Sequence, residues 1–183
     1  MKKNIFFLFI ISFFILSCSN TKNSNYSSKK SNNEGISSSI IKTKNYKDYS
    51  EYIINLNDMY NQKDNIYGVY FYSEYCPACA SLKELLFKFL DSENKCIDNL
   101  YLVDIGTTNE EDFNKLQSSN GLFEEEIRGN NIGATSIETT YFRTSPCIYF
   151  ISKTDSINSI FEHYINYQDV YDFLNTNNLQ NEK

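Results

Sequence analysis

The 183 residues contain no tryptophan, a single histidine and only two prolines. So few prolines mean that each marks a place where the chain needs a fixed φ and can do without an N–H. Long apolar runs are missing as well. The longest, Ile5 to Leu16, has twelve residues and is too short to span a bilayer as a mature helix. Positive charge is scarce: 17 Lys and Arg stand against 23 Asp and Glu, a net charge of −6. An acidic chain lacks the electrostatic footprint of a nucleic-acid binder, so nucleic acid is not an expected partner. The abundance of Asn, Ile, Lys, Tyr and Phe reads as codon bias and carries no functional weight.

The short apolar run has a signal-peptide character, because Lys2 and Lys3 precede it. It ends in Ile15-Leu16-Ser17-Cys18, which resembles the bacterial lipobox, in which the cysteine is lipidated and becomes the first residue. Ile15 stands where leucine is usual, and Leu16 is bulkier than most residues at its position. The expectation is a leader over residues 1–17 and a lipid on Cys18. That lipid would anchor the chain at the extracytoplasmic face of the cell membrane. An ordinary secretory signal or an uncleaved anchor is the other reading. Residues 18–44 are rich in Ser, Asn, Lys and Thr and cannot bury enough surface to offset their ordering entropy, which predicts a flexible tether. Residues 45–183 remain, enough for one domain with a proper core.

Within that domain, Tyr49, Ile53, Leu56 and Tyr60 recur at spacings of three and four, a helical stripe over Asn45 to Asp64. The aromatic run Ile66 to Ser73 predicts a central strand buried on both faces. Leu82, Leu85, Leu86, Phe89 and Leu90 give the next segment, Pro77 to about Asn94, an apolar helical face. Asn99 to Ile105 is a second strand, parallel to the first through a right-handed crossover. Glu110 to Gly129 is helical and acidic with a break near Ser118 to Gly121, and Asn130 to Thr140 reads as a loop. Cys147 to Ser152 and Ile157 to His163 flank Thr154-Asp155-Ser156 as a hairpin, and Tyr167 to Asn175 forms a closing helix.

Between the first strand and the first long helix lies Cys76-Pro77-Ala78-Cys79. A pair at this spacing between strand and helix reads as a redox motif. Cys76 falls at the helix N-terminus, where unpaired N–H groups and the macrodipole favour a thiolate, and Pro77 suits the first helical position. Cys79 lies one turn on, placed to attack a mixed disulfide formed at Cys76 and release the product. A structural zinc site would need two more ligands. Only Cys96, Cys147 and His163 remain, with no second close pair, so no metal is expected. The second proline, Pro146, stands directly before the strand that starts at Cys147.

Together these features resemble the thioredoxin-like superfamily, over about Asn45 to Asn177. The resemblance implies an α/β fold with a central mixed sheet flanked by helices, and a helical insertion before the cis-proline strand. It implies a cis Ser145–Pro146 bond beside the dithiol, with the backbone of Ser145 available to an extended substrate segment. The cofactor would be the redox-active Cys76–Cys79 disulfide alone, and the partners protein thiols and disulfides together with a membrane electron donor. Among anchored members reduction is commoner than oxidation, so a reductase is slightly favoured. The departures are specific. Tyr70 occupies the position where many members carry a buried Asp, and Tyr72 and Tyr75 stand in place of the active-site tryptophans. An aromatic wall of Phe71, Tyr72 and Tyr75 is expected to limit hydration of the Cys76 thiolate. Asp104 and Pro146 are 42 positions apart, which leaves roughly twenty residues of insertion, either a substrate surface or a solvated decoration.

The remaining expectations concern single residues. Cys147 is an inert buried thiol or an auxiliary one, Cys96 is partly buried, and His163 and Glu74 lie at the surface. A rival reading from another class is a binding lipoprotein with a vestigial dithiol. Bacteriocin-export accessory proteins, with similar thioredoxin-like domains, are a specific version of either reading.

Overall fold

The computed structural model describes residues 44–93 and 95–180. The expected leader, the expected lipidation at Cys18 and the expected tether up to residue 43 lie outside the described residues.

Strand β1 (Ile66–Tyr72) lies between β2 (Asn99–Asp104), to which it is parallel, and β5 (Cys147–Thr154), to which it is antiparallel. β6 (Ile157–Tyr164) completes a four-stranded mixed sheet in the order β2-β1-β5-β6. Helix α1 (Pro77–Asp91) makes the crossover between the parallel pair. Every residue of β1 from Tyr67 to Tyr72 is buried, as its run of aromatic and branched side chains demands. The hairpin turns at Asp155 and Ser156, with φ of 51° and 68°. Two successive left-handed residues make the turn that matches the twist of paired strands.

Alternation along the strands sorts the apolar side chains into two cores. Tyr70, Tyr72, Leu100, Leu102, Ile148 and Phe150 face one side. There Leu82, Leu86 and Phe89 of α1 and Val170 and Leu174 of the last helix, α4, cover them. α4 runs Tyr167–Gln180, one and a half turns beyond the expected end, and packs along α1. Tyr67, Val69, Phe71, Val103, Tyr149 and Ile151 face the other side.

Among the described residues no long helix covers that second face. Leu56 and Met59 cover part of it, and Leu116, Ala134 and Ile137 of the insertion cover the rest. The insertion is built from α2 (Glu110–Phe113), β3 (Gln117–Ser118), α3 (Glu124–Asn131), a 3-10 turn at Ile137–Thr139 and β4 (Tyr141–Phe142). β3 and β4 pair as a small parallel sheet. Neither expected role describes it fully, because its apolar residues are the missing lid of the core. The expected loop from Asn130 to Thr140 contains the 3-10 turn that delivers Ile137.

The helical stripe over Asn45 to Asp64 does not form a single helix. Two 3-10 helices, Tyr46–Tyr52 and Leu56–Asp58, are separated by extended backbone. At that break Ile53 bridges Leu102, and the Ile54 N–H donates to the Leu102 carbonyl at 2.9 Å. β2 is an edge strand with backbone groups to satisfy, and a continuous helix would leave them open. Spacings of three suit 3-10 turns as well as α-helix, which is why the pattern misleads.

His163 is buried rather than exposed. A bulge in the β5–β6 ladder, where the register shifts at Phe150 and Ile151, places both Ile160 and His163 on the second core face. Its ring stacks on its cross-strand partner Tyr149, centroids 3.9 Å apart, and its Nδ1 accepts from the Asn131 side chain at 2.8 Å. Asn131 also donates to the Tyr141 carbonyl and accepts from the Tyr141 N–H, stitching α3 to β4. Burial, with Arg128 nearby, lowers the His163 pKa to about 3.

An unfolded histidine titrates near 6.5, so between pH 6.5 and 3 the unfolded chain binds the extra proton. The stabilising effect of a neutral His163 is therefore complete above about pH 6.5 and is lost as pH falls through that window. Denaturant melts should lose stability between pH 6.5 and 5, with a limiting slope of about 1.4 kcal/mol per pH unit. His163→Phe, which keeps the ring stack, should flatten that limb. Equal slopes in the two proteins would show that His163 takes up its proton without unfolding.

Candidate active site

β1 and β5 are antiparallel and pair Phe71 with Cys147, so the loop leaving β1 and the loop entering β5 emerge at one end of the sheet. The first loop carries Cys76 and the second Ser145 and Pro146. They meet although 69 residues apart: the Cys76 Sγ donates to the Ser145 carbonyl at 3.5 Å. The Ser145–Pro146 peptide bond is cis, as the resemblance implied.

Cys76 is the N-cap of α1, with extended backbone and Pro77 following at the first helical position. Its sulfur accepts the Cys79 N–H at 3.2 Å, taking the place of a capping Ser or Asp oxygen. Cys79, one turn on, is 1 % exposed, whereas Cys76 is half-buried. Both are thiols in this structure.

The two environments push the thiols apart. Partial burial raises the Cys76 pKa, but hydrogen bonds from Cys79, the Ser145 side chain and the Ala78 backbone more than offset it, and the net shift is downward. Burial lifts Cys79 to about 11, reinforced by its hydrogen bond to Cys76. The accessible sulfur is thus the more acidic and the deep one holds its proton. That split suits a nucleophile and a resolving partner.

The aromatic surroundings differ from the expected wall. Phe71 faces the opposite core, where it meets Tyr149 and Phe142 edge-on, and Tyr75 is 89 % exposed. Only Tyr72 lies on the dithiol side, stacked on Tyr46 at 3.9 Å. Tyr46 carried no sequence signal as a site residue, because only the tertiary fold brings it there. It lines a cleft of about 190 Å³ beside α1, with Asn45, Ser73, Glu74, Ala80 and Lys83. Lys83 reaches across, donating to the Asn45 side-chain oxygen at 3.1 Å and lying 4.9 Å from the Tyr46 ring centre.

Glu74 is exposed, as expected. Cys147 is buried, and burial pushes its thiol far up, partly offset by a hydrogen bond with Tyr149. Cys96 is exposed rather than partly buried, because it follows the end of α1 in the bend leading to β2. Among the described residues no three His, Cys, Asp or Glu side chains gather as a metal site, and no helix is long and apolar enough to cross a membrane.

Iodoacetamide at neutral pH should modify Cys76 well before Cys79, as read by peptide mass mapping of the reduced protein. Modification of Cys79 first would reverse the two roles.

No family model and no curated protein matches the chain. Among solved structures, one that matches is a thioredoxin of Plasmodium falciparum, 13 % identical, over 69 % of this chain and 88 % of that one, with a TM-score of 0.38. A likeness that loose says nothing of substrate or activity. The fold itself is a central mixed sheet flanked by helices, with a cis-proline loop facing the helix that carries Cys76 and Cys79, the α/β arrangement the sequence led one to expect.

Proposed function

We propose that the protein is a thiol–disulfide oxidoreductase acting on protein cysteines through Cys76 and Cys79, in the reducing direction. The observation that carries the redox reading is the capped, acidified Cys76 sulfur beside Ser145, with a buried Cys79 one turn behind it, whereas the reducing direction rests on resemblance to anchored members. A structural pair would have no need of such a split.

In the forward reaction the Cys76 thiolate attacks one sulfur of a substrate disulfide. A Cys76–substrate S–S bond forms, the substrate S–S bond breaks, and the departing substrate thiolate takes a proton. Cys79 then loses its proton and attacks the Cys76 sulfur. The Cys76–Cys79 disulfide forms and the second substrate thiolate leaves and is protonated. The substrate gains two electrons and the dithiol loses them. Ser145 and Pro146 are proposed to hold the substrate segment: the cis loop presents Ser145 backbone beside the reacting sulfur, in the manner of an added strand. Renewal of the dithiol is assigned to a membrane electron donor, and location at the extracytoplasmic face of the cell membrane to a lipid on Cys18. These last two proposals rest on the lipobox-like end of the leader and on resemblance to anchored members.

Cys79→Ser should trap a mixed disulfide between Cys76 and a disulfide-bonded protein substrate, while Cys76→Ser should form none. The reduction potential of the couple in dithiothreitol equilibria should fall near −270 mV, on the order of thioredoxin's. A value above about −150 mV would make the protein a disulfide-forming oxidant. Failure of the pair to equilibrate while folded would favour a binding lipoprotein with a vestigial dithiol.

Metabolic labelling with a palmitate analogue should mark the wild type and not Cys18→Ala. Equal labelling of both would remove the lipid anchor from the proposal.

A further inference from the structure

Asn131, the last residue of α3, is fully buried with its amide nitrogen and oxygen both engaged. The nitrogen donates to the Tyr141 carbonyl at 3.0 Å and to His163 Nδ1 at 2.8 Å, and the oxygen accepts from the Tyr141 N–H at 2.7 Å. With Nδ1 accepting, the His163 ring holds the amide in this orientation. The Tyr149 hydroxyl, from β5, donates to the same Tyr141 carbonyl at 3.0 Å. A side chain thus pairs with both backbone groups of Tyr141, as a neighbouring strand would.

An apolar side chain would fill the place of Asn131 at a smaller desolvation cost, but it would leave the Tyr141 N–H without its partner. Buried polar bonds of this kind admit one path of the chain through them. From Tyr141 that path runs through Phe142, Arg143 and Thr144 into Ser145, whose carbonyl lies 3.5 Å from the Cys76 sulfur. On the far side of Pro146 the loop is fixed by the ladder that begins with Cys147 opposite Phe71. On the near side the Arg143–Glu124 pair is exposed, and such pairs hold weakly. Ser119 donates to the Phe142 carbonyl at 2.9 Å, and the bonds at Tyr141 complete the hold from within the core. A backbone that is to pair with a substrate segment has to be kept to within about half an ångström of its productive place, which exposed contacts alone do not achieve.

We infer that Asn131 and Tyr149 are positioning residues for substrate: through Tyr141 they hold the Ser145 backbone where an extended protein segment can pair with it. The inference rests on the redox reading above. Neither side chain touches a reacting atom, and the chemistry stays with Cys76 and Cys79. The insertion thereby acquires a part in the reaction: it sets how firmly a protein substrate is held, while the sulfurs alone set how fast a small disulfide is attacked.

Steady-state reduction of insulin disulfides by the full chain, with dithiothreitol as the electron source, reads how a protein substrate is held. Mixing the reduced chain with 5,5′-dithiobis(2-nitrobenzoate), which needs no strand pairing, reads the sulfurs alone. Asn131→Leu should raise KM for insulin about tenfold, on the order of one lost backbone hydrogen bond to the substrate, with kcat within about twofold of wild type. Its rate with the small disulfide should also stay within about twofold. Tyr149→Phe removes one bond to the Tyr141 carbonyl and keeps the ring contacts with Phe71 and His163. It should raise KM about threefold, and it decides the matter alone if Asn131→Leu does not fold. A purely structural role would lower the melting temperature and the active fraction and leave KM in place. If every folded variant keeps the wild-type KM, the inference fails while the redox reading stands. If the wild type oxidises its dithiol with the small disulfide but leaves insulin intact, the Ser145 loop holds no protein segment and the inference fails. If the wild type reduces neither, the redox reading fails and takes the inference with it.

Discussion

The bond on which the site depends is the one from the Cys79 amide to the Cys76 sulfur. A helix N-terminus has N–H groups with no partner inside the helix, and here a sulfur occupies the capping position. The interaction is strengthened when the sulfur is charged, so the helix is better capped by a thiolate than by a thiol. It also sets the two cysteines in different places. Cys79 contributes its amide to the cap and its side chain to the core, and the two cannot exchange places without unwinding the first turn of α1. Ser145, in the loop that enters β5, then adds a second contact to the same sulfur.

That contact in turn depends on the sheet. The antiparallel pairing of β1 with β5 brings the two loops to one edge, and the two cores hold the pairing in register. α1 and α4 cover one face of the sheet, and the insertion covers the other with Leu116, Ala134 and Ile137. A one-residue slip of β1 would move Tyr70 and Tyr72 to the insertion side and Phe71 to the helices. The same segment that closes the second core leads through β4 into Arg143, Thr144 and Ser145. Arg143 is tied back to Glu124 of α3 at 3.5 Å. The proline loop is thereby held from both ends, by β5 on one side and by the insertion on the other.

Much of this was legible along the chain. The buried character of β1, the apolar face of α1, the hairpin at Asp155 and Ser156, and the position of the dithiol at a helix start are all local patterns. Their physics is contained within a few neighbouring residues. The misread parts depend on contacts distant in sequence. The stripe from Tyr49 to Tyr60 has helical spacing, but the open edge of β2 draws Ile53 and Ile54 into extended backbone. His163 ends a strand, where exposure is the natural expectation, and a bulge turns it inward onto Tyr149. The expected aromatic wall failed for a simpler reason: side chains of successive strand residues point to opposite faces, so Phe71 and Tyr72 cannot share one.

The beginning of the domain lies against the site. Asn45 caps the 3-10 helix that carries Tyr46, and the two together form part of the cleft wall. Lys44 is held by Asp91 and Tyr49, the first grip on the chain as it enters the described structure. The Lys83–Asn45 contact is the next tie along the chain, directly before Tyr46. Slackening of either would let the cleft wall shift relative to α1. The start of the described structure and the wall of the cleft beside α1 are thus one piece of chain, and whatever holds Asn45 in place also holds one side of the cleft.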